Sequence, residues 1–129
     1  MRRLLALLVL VTSCGFGKTT EADISGSYAL QTVNGQPLPY QTSASNVVFS
    51  LQSGVLLLGP GGAFSLQKQG TQKIGTAAPS SFTETITGTW SATGNSVTMR
   101  STNPPTLIAA TYWRGLGYTD GGVTYSYRR

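Results

Sequence analysis

The chain has no histidine, a single cysteine and only four carboxylate side chains among its 129 residues. Without histidine it lacks the usual general base and the commonest metal ligand. One thiol forms no intramolecular disulfide and supports no thiolate metal site. The acids Glu21, Asp23, Glu84 and Asp120 are dispersed, so a glycosidase-type pair could come only from Glu84 and Asp120. Serine is plentiful, but no G-x-S-x-G elbow occurs. The glycines of GPGG (59–62) and DGG (120–122) stand where turns need them and match no phosphate-loop spacing. No apolar run approaches the roughly 20 residues of a membrane-spanning helix. These absences argue against an enzyme and against any cofactor. Beyond Arg2 and Arg3, the basic residues Lys18, Lys68, Lys73, Arg100, Arg114, Arg128 and Arg129 are scattered. With no basic run and no recognition motif, nucleic acid is not an expected partner.

What is present begins at the N-terminus. Arg2-Arg3 precede an apolar run from Leu4 to Val11, the layout of a signal peptide, expected as an N-terminal signal helix ahead of the domain. Val11-Thr12-Ser13-Cys14 resembles the bacterial lipobox, an aliphatic residue and two small ones before a cysteine. The resemblance implies removal of residues 1–13 and a diacylglyceryl group on the Cys14 sulfur, which then anchors the chain to a membrane. A thioether also removes the liability of an exported free thiol, and two or three acyl chains hold where one is marginal. Gly15 stands where an aspartate would signal inner-membrane retention. The expected address is therefore the cell envelope, at the outer membrane if the host has one. Residues 14–25 then form a lipidated polar tether, and 26–129 one domain of ordinary size.

Within 26–129 no window keeps a helical period for three turns, whereas alternation broken by turn residues recurs. Candidate strands are 26–33, 46–52, 54–58, 62–69, 81–91, 95–101, 106–113 and 122–128. The second and third could be one strand kinked at Gly54. Longer loops are expected at 34–45, 70–80 and 114–121. GPGG predicts a turn with Pro60 presetting φ and Gly61 at positive φ. That register sets Leu57 opposite Phe64 and Val55 opposite Leu66 on one apolar face, with Ser65 and Lys68 turned away. Leu56 and Leu58 then fall on the polar side and need a cover. A second hairpin turns at Gly94-Asn95. It puts Phe82, Glu84, Ile86, Gly88 and Trp90 on one face with Val97 and Met99, and Thr83, Thr85, Thr87 and Thr89 on the other with Arg100. Gly88 leaves room for an aromatic from a neighbouring strand.

Seven or eight short antiparallel strands joined by near-neighbour turns predict an all-β domain, either a small sandwich or an up-and-down barrel. Closure removes exposed edges, which favours the barrel.

Gly26-Ser27-Tyr28 resembles the G-x-W opening of lipocalins, and Arg128-Arg129 sit where those proteins carry an arginine across that aromatic. GSYALQTVNGQPLP (26–39), SGVLLLGPGGAFSL (53–66), GTWSATGNSVTM (88–99) and VTYSYRR (123–129) are similar to small bacterial lipocalin-like lipoproteins, with the META-type envelope fold as the nearest competitor. The resemblance covers most of 26–129 and speaks to fold more than to function. Independently of it, a cation over Tyr28 would tie the last strand to the first. Parity with Val123, Tyr125 and Tyr127 selects Arg129 for that place.

Three functions follow as expectations: a barrel binding a small apolar molecule or lipid at its mouth, a protein-interaction module acting through its loops, or a structural envelope protein. Glu84, Trp90, Trp113 and Tyr125 are the candidate ligand contacts, against the plainer reading of a solvated rim acid and core aromatics. A cavity of roughly 300 Å³ or more would favour the first function. Nothing in the sequence indicates an oligomeric state.

Overall fold

The computed structural model describes residues 21–129. The expected signal segment with its helix and the Cys14 lipobox lie outside the described residues. A single helical turn, α1 (Glu21–Ile24), precedes β1 (Gly26–Val33), β2 (Gln36–Pro37), β3 (Tyr40–Ala44), β4 (Val47–Leu58) and β5 (Ala63–Ile74). Then come β6 (Ser80–Thr93), β7 (Ser96–Thr102), β8 (Pro105–Tyr112), β9 (Leu116–Asp120) and β10 (Val123–Arg128). Strands β4 to β10 pair each with the next, and β1 pairs with both β10 and β4, closing an antiparallel up-and-down barrel of eight strands. The short strands β2 and β3 hang on the two sides of one seam, β2 on β1 and β3 on β4. Gly26–Ala29 zip against Val55–Leu58 at one end of that seam. Toward the other end β1 and β4 part, and β2 and β3 pair with their freed edges.

Two bulges set which side chains face inward. In β1 the register shifts between Leu30 and Thr32. Tyr28 and Leu30 are buried before it and Val33 after it. In β4 the shift falls between Leu51 and Ser53. An extra residue in a strand with period two turns the following side chains to the opposite face. Strand β4 is thus continuous, with a bulge at Gln52 in place of a kink at Gly54. Gly54 serves packing: a Cβ there would lie 3.1 Å from the Leu30 side chain.

The turn after β4 also departs from expectation. Leu58 pairs with Phe64 and Leu56 with Leu66, leaving five residues in the turn. Gly59 N–H donates to Ala63 O at 2.7 Å, and Gly62, not Gly61, takes positive φ at +89°. The one-residue difference exchanges the faces. Leu56 and Leu58 are wholly buried, whereas Val55 and Leu57 lie outside at 42% and 46% exposure. The same frame corrects Lys68, which points inward with Phe64 and Leu66.

The second hairpin follows its expected register, with Thr93 opposite Ser96 across Gly94-Asn95 and Gly94 at φ +61°. Trp90, Val97 and Met99 are buried, and the threonines of β6 are exposed. Gly88 receives Phe64, whose ring carbon would lie 2.9 Å from a Cβ at that position, and Gly70 receives Phe82 in the same way at 3.0 Å. Glycine opposite an aromatic lets the strands coil tightly at these points.

The expected loops are mostly strand. Residues 114–121 contain β9, residues 34–45 contain β2 and β3, and β5 and β6 extend until only 75–79 remain between them. The packed unit also reaches into the segment expected to be tether, since Ile24 is fully buried in the core.

Candidate functional site

The two ends of the barrel differ. At the end where β1 begins and β10 finishes, the interior is filled. Trp90 is 5% exposed and its indole N–H donates to Gly59 O at 2.9 Å. Tyr28 is fully buried and its hydroxyl donates to Ile24 O, which fastens α1 to the barrel. The Arg129 guanidinium carbon stands 5.2 Å from the Tyr28 ring centroid, and Nη2 donates to Asp23 O. Cation, aromatic and N-terminal turn thereby join first strand to last, with Arg129 in the place its parity indicates. Burial raises the Tyr28 phenol above its ordinary pKa, and Arg129 partly offsets the rise. Arg128 faces outward, its backbone paired with Ala29.

Midway, three tyrosines occupy the interior. Tyr118 stacks on Tyr125 at 5.0 Å and on Tyr127 at 5.9 Å between centroids. The Tyr118 and Tyr127 hydroxyls share a hydrogen bond of 3.3 Å. Burial pushes the Tyr127 phenol up to about 12, and Tyr118 rises further for the same reason.

The opposite end holds a cavity of about 490 Å³. Its walls come from both sides of the parted seam: Val33 of β1, Tyr40 and Thr42 of β3, Phe49 and Leu51 of β4. Phe82 and Glu84 of β6 and Val123 and Tyr125 of β10 complete them. Phe49 meets Phe82 edge-on at 6.1 Å. The bulge at Gln52 makes this mouth apolar, because it alone allows Phe49 and Leu51 to face inward on a strand whose other half buries Leu56 and Leu58.

Lys68 is the basic side chain in this cavity. Its side chain is 12% exposed, with Nζ 4.2 Å from the Tyr125 ring centroid. Glu84, its cross-strand neighbour, comes within 4.0 Å but is 56% exposed and solvated. Loss of hydration lowers the Lys68 pKa, against the opposing pull of Glu84 and Asp120. The ammonium is therefore held by an aromatic face and one long, wet ion pair, which leaves it capacity to receive an anion.

Of the four candidate contacts, Glu84 and Tyr125 line this cavity, Trp90 belongs to the core of the other end, and Trp113 lies outside at 73% exposure. Lys68, Tyr40, Phe49 and Phe82 were not among them. The signal for Lys68 was its even-numbered parity with Phe64 and Leu66. Ser65 and Lys68 also have S-x-x-K spacing, which brings serine and lysine together on a helix. On β5 they lie on opposite faces, Ser65 paired with outward Leu57 and Lys68 with inward Gly54.

No protein-family model, no curated protein and no solved structure matches the chain.

Proposed function

We propose that the protein is an envelope binding protein of lipocalin-like kind that takes a small apolar molecule with an acidic end into the barrel mouth. The observation that carries this reading is the Lys68 ammonium, set among aromatic and aliphatic walls in a cavity of about 490 Å³. That volume falls within the roughly 300–1,000 Å³ typical of ligand pockets, and walls of this kind with few polar groups are typical too. Burying an ammonium against apolar surface is costly, and methionine would fill the same space more cheaply. A ligand carboxylate meeting Lys68 would release Glu84 to water, where it already mostly lies. The lipobox resemblance supports the address, an exported chain anchored through lipid on Cys14. The interaction-module reading rested on loops at 34–45, 70–80 and 114–121, most of whose residues are hydrogen-bonded in strands.

Calorimetric titration with dodecanoate and with dodecanol tests the proposal. The acid should bind more tightly than the alcohol. Lys68→Met should weaken the acid by about 10- to 100-fold, as expected for a charged hydrogen bond of about 1.5–3 kcal/mol, and leave the alcohol unchanged. Glu84→Gln should tighten the acid by removing its competitor. Because the Lys68 pKa is lowered, acid affinity should fall at a pH below the ordinary lysine range. Equal affinity for acid and alcohol, or no effect of Lys68→Met, would refute the assignment.

A further inference from the structure

The filled end of the barrel carries a feature that neither core nor cavity uses. The connection between β8 and β9 is a three-residue turn, closed by Trp113 N–H donating to Gly115 O at 2.8 Å. At its tip Arg114 takes φ +59°, a left-handed conformation that glycine or asparagine adopts at less cost. Trp113 beside it is 73% exposed, more than the other large apolar side chains of the described surface. The Arg114 guanidinium lies 5.7 Å from the Trp113 ring centroid. Gly115 lets this tip pack down on β10, since a Cβ there would collide with Tyr127 O and lie 3.3 Å from Arg128 Cγ. Arg114 and Arg128 thus flank two depressions of about 290 and 310 Å³. Among the described residues neither arginine is in a salt bridge.

Two further facts indicate what covers this face. The described chain starts here: α1 is bound to it through Tyr28 and Arg129, so the segment that leads back from Glu21 toward Cys14 is attached to the barrel at this end. The binding cavity opens at the other end. The acids Glu21 and Asp23 share the α1 end, but the depressions themselves are lined by arginines, aromatic rings and a few small or uncharged residues, with no aspartate or glutamate.

We infer that this end of the barrel docks on an anionic lipid surface, with Trp113 in the headgroup layer and Arg114 and Arg128 on lipid phosphates. Tryptophan is enriched at membrane–water interfaces, and each basic residue near an anionic leaflet strengthens partitioning about fivefold. Two arginines and one tryptophan make a weak site by themselves. Their effect comes from acting on a chain already held through its N-terminal segment: they fix the barrel upright, with its mouth away from the membrane. The inference rests on the proposed anchor at Cys14 and not on what the cavity binds.

The full chain, reconstituted on vesicles of phosphatidylglycerol and phosphatidylcholine or of phosphatidylcholine alone, tests it. On the anionic vesicles Trp113 should become shielded from acrylamide and quenched by lipids carrying a headgroup-level spin label. Trp113→Phe should remove the acrylamide-accessible signal in buffer and its shielding on vesicles, because Trp90 is buried in both states. Combined Arg114→Glu and Arg128→Glu substitutions should restore acrylamide access while the protein stays on the vesicles. Trp113 as accessible on anionic vesicles as in buffer would overturn the inference, as would equal shielding on phosphatidylcholine alone. Shielding by an added acidic protein but not by vesicles would overturn it too.

Discussion

Removing the indole of Trp90 gives the sharpest test of how the filled half of the barrel is built. The ring is 5% exposed, beside Gly59 at the β4–β5 turn, and belongs to the same core cluster as Met99 and Val97. Truncation to alanine deletes a large buried surface and leaves a cavity that a closed barrel cannot collapse around. Changes of this kind cost about 3–5 kcal/mol. The lost hydrogen bond adds little, because Gly59 O keeps a second donor, Gly62 N–H at 3.2 Å. Trp90→Phe retains most of the packing and should cost roughly half as much or less. Thr87→Ala, three residues away on the exposed face of β6, should cost under about 0.5 kcal/mol. Against a total stability of about 5–15 kcal/mol, the alanine variant should lose roughly a fifth or more of it and should be largely unfolded at the lower bound. Urea unfolding followed by far-ultraviolet circular dichroism measures all three. A Trp90→Ala cost below about 1 kcal/mol, or equal costs at Trp90 and Thr87, would refute the inward–outward assignment of β6.

Arg129→Ala should lower stability by about 1–3 kcal/mol although it is a terminal residue, since it removes both the cation over Tyr28 and the charged donor to Asp23 O; an unchanged melting temperature would count against the seam. Tyr127 ionises near 12 when folded but near its ordinary 10.0 when unfolded. The unfolded chain therefore loses its proton first, and stability should be intact below pH 10 and fall between 10 and 12 by about 3 kcal/mol for this residue alone. Alkaline unfolding with concurrent appearance of tyrosinate absorbance checks this, and early, non-cooperative titration would contradict it. Cys14→Ser should move the protein from the detergent phase to the aqueous phase on fractionation and leave the barrel folded; retention in detergent would remove the lipid anchor from the proposal. Gly88→Ala should destabilise strongly, because its Cβ would collide with Arg100 O, whereas Gly61→Ala meets nothing within 4 Å and should be nearly neutral.

The amino-acid sequence alone determined the all-β class, because alternation and turn residues are local properties of the chain. It determined the β6–β7 hairpin, whose two-residue turn at Gly94-Asn95 admits one register, and hence the inward row of Ile86, Trp90, Val97 and Met99. It also determined the seam between Tyr28 and Arg129, since parity counted back from Tyr125 and Tyr127 picks one arginine of the terminal pair. The register across GPGG was a tertiary decision. The run Val55, Leu56, Leu57 and Leu58 is apolar on both faces, so the pattern does not say which alternate residues go in. A one-residue difference in turn length reverses the answer, and pairing with β1 on one side and β5 on the other settled it. Strands β2, β3 and β9 were likewise illegible: five residues or fewer with little alternation become strands only because a neighbouring edge is there to receive their hydrogen bonds. The candidate site needed both kinds of information. Lys68 and Glu84 stand on their own strands by parity, but the cavity they share exists because two bulges and the parting of β1 from β4 hold that end of the barrel open, and such long-range geometry has no local signature.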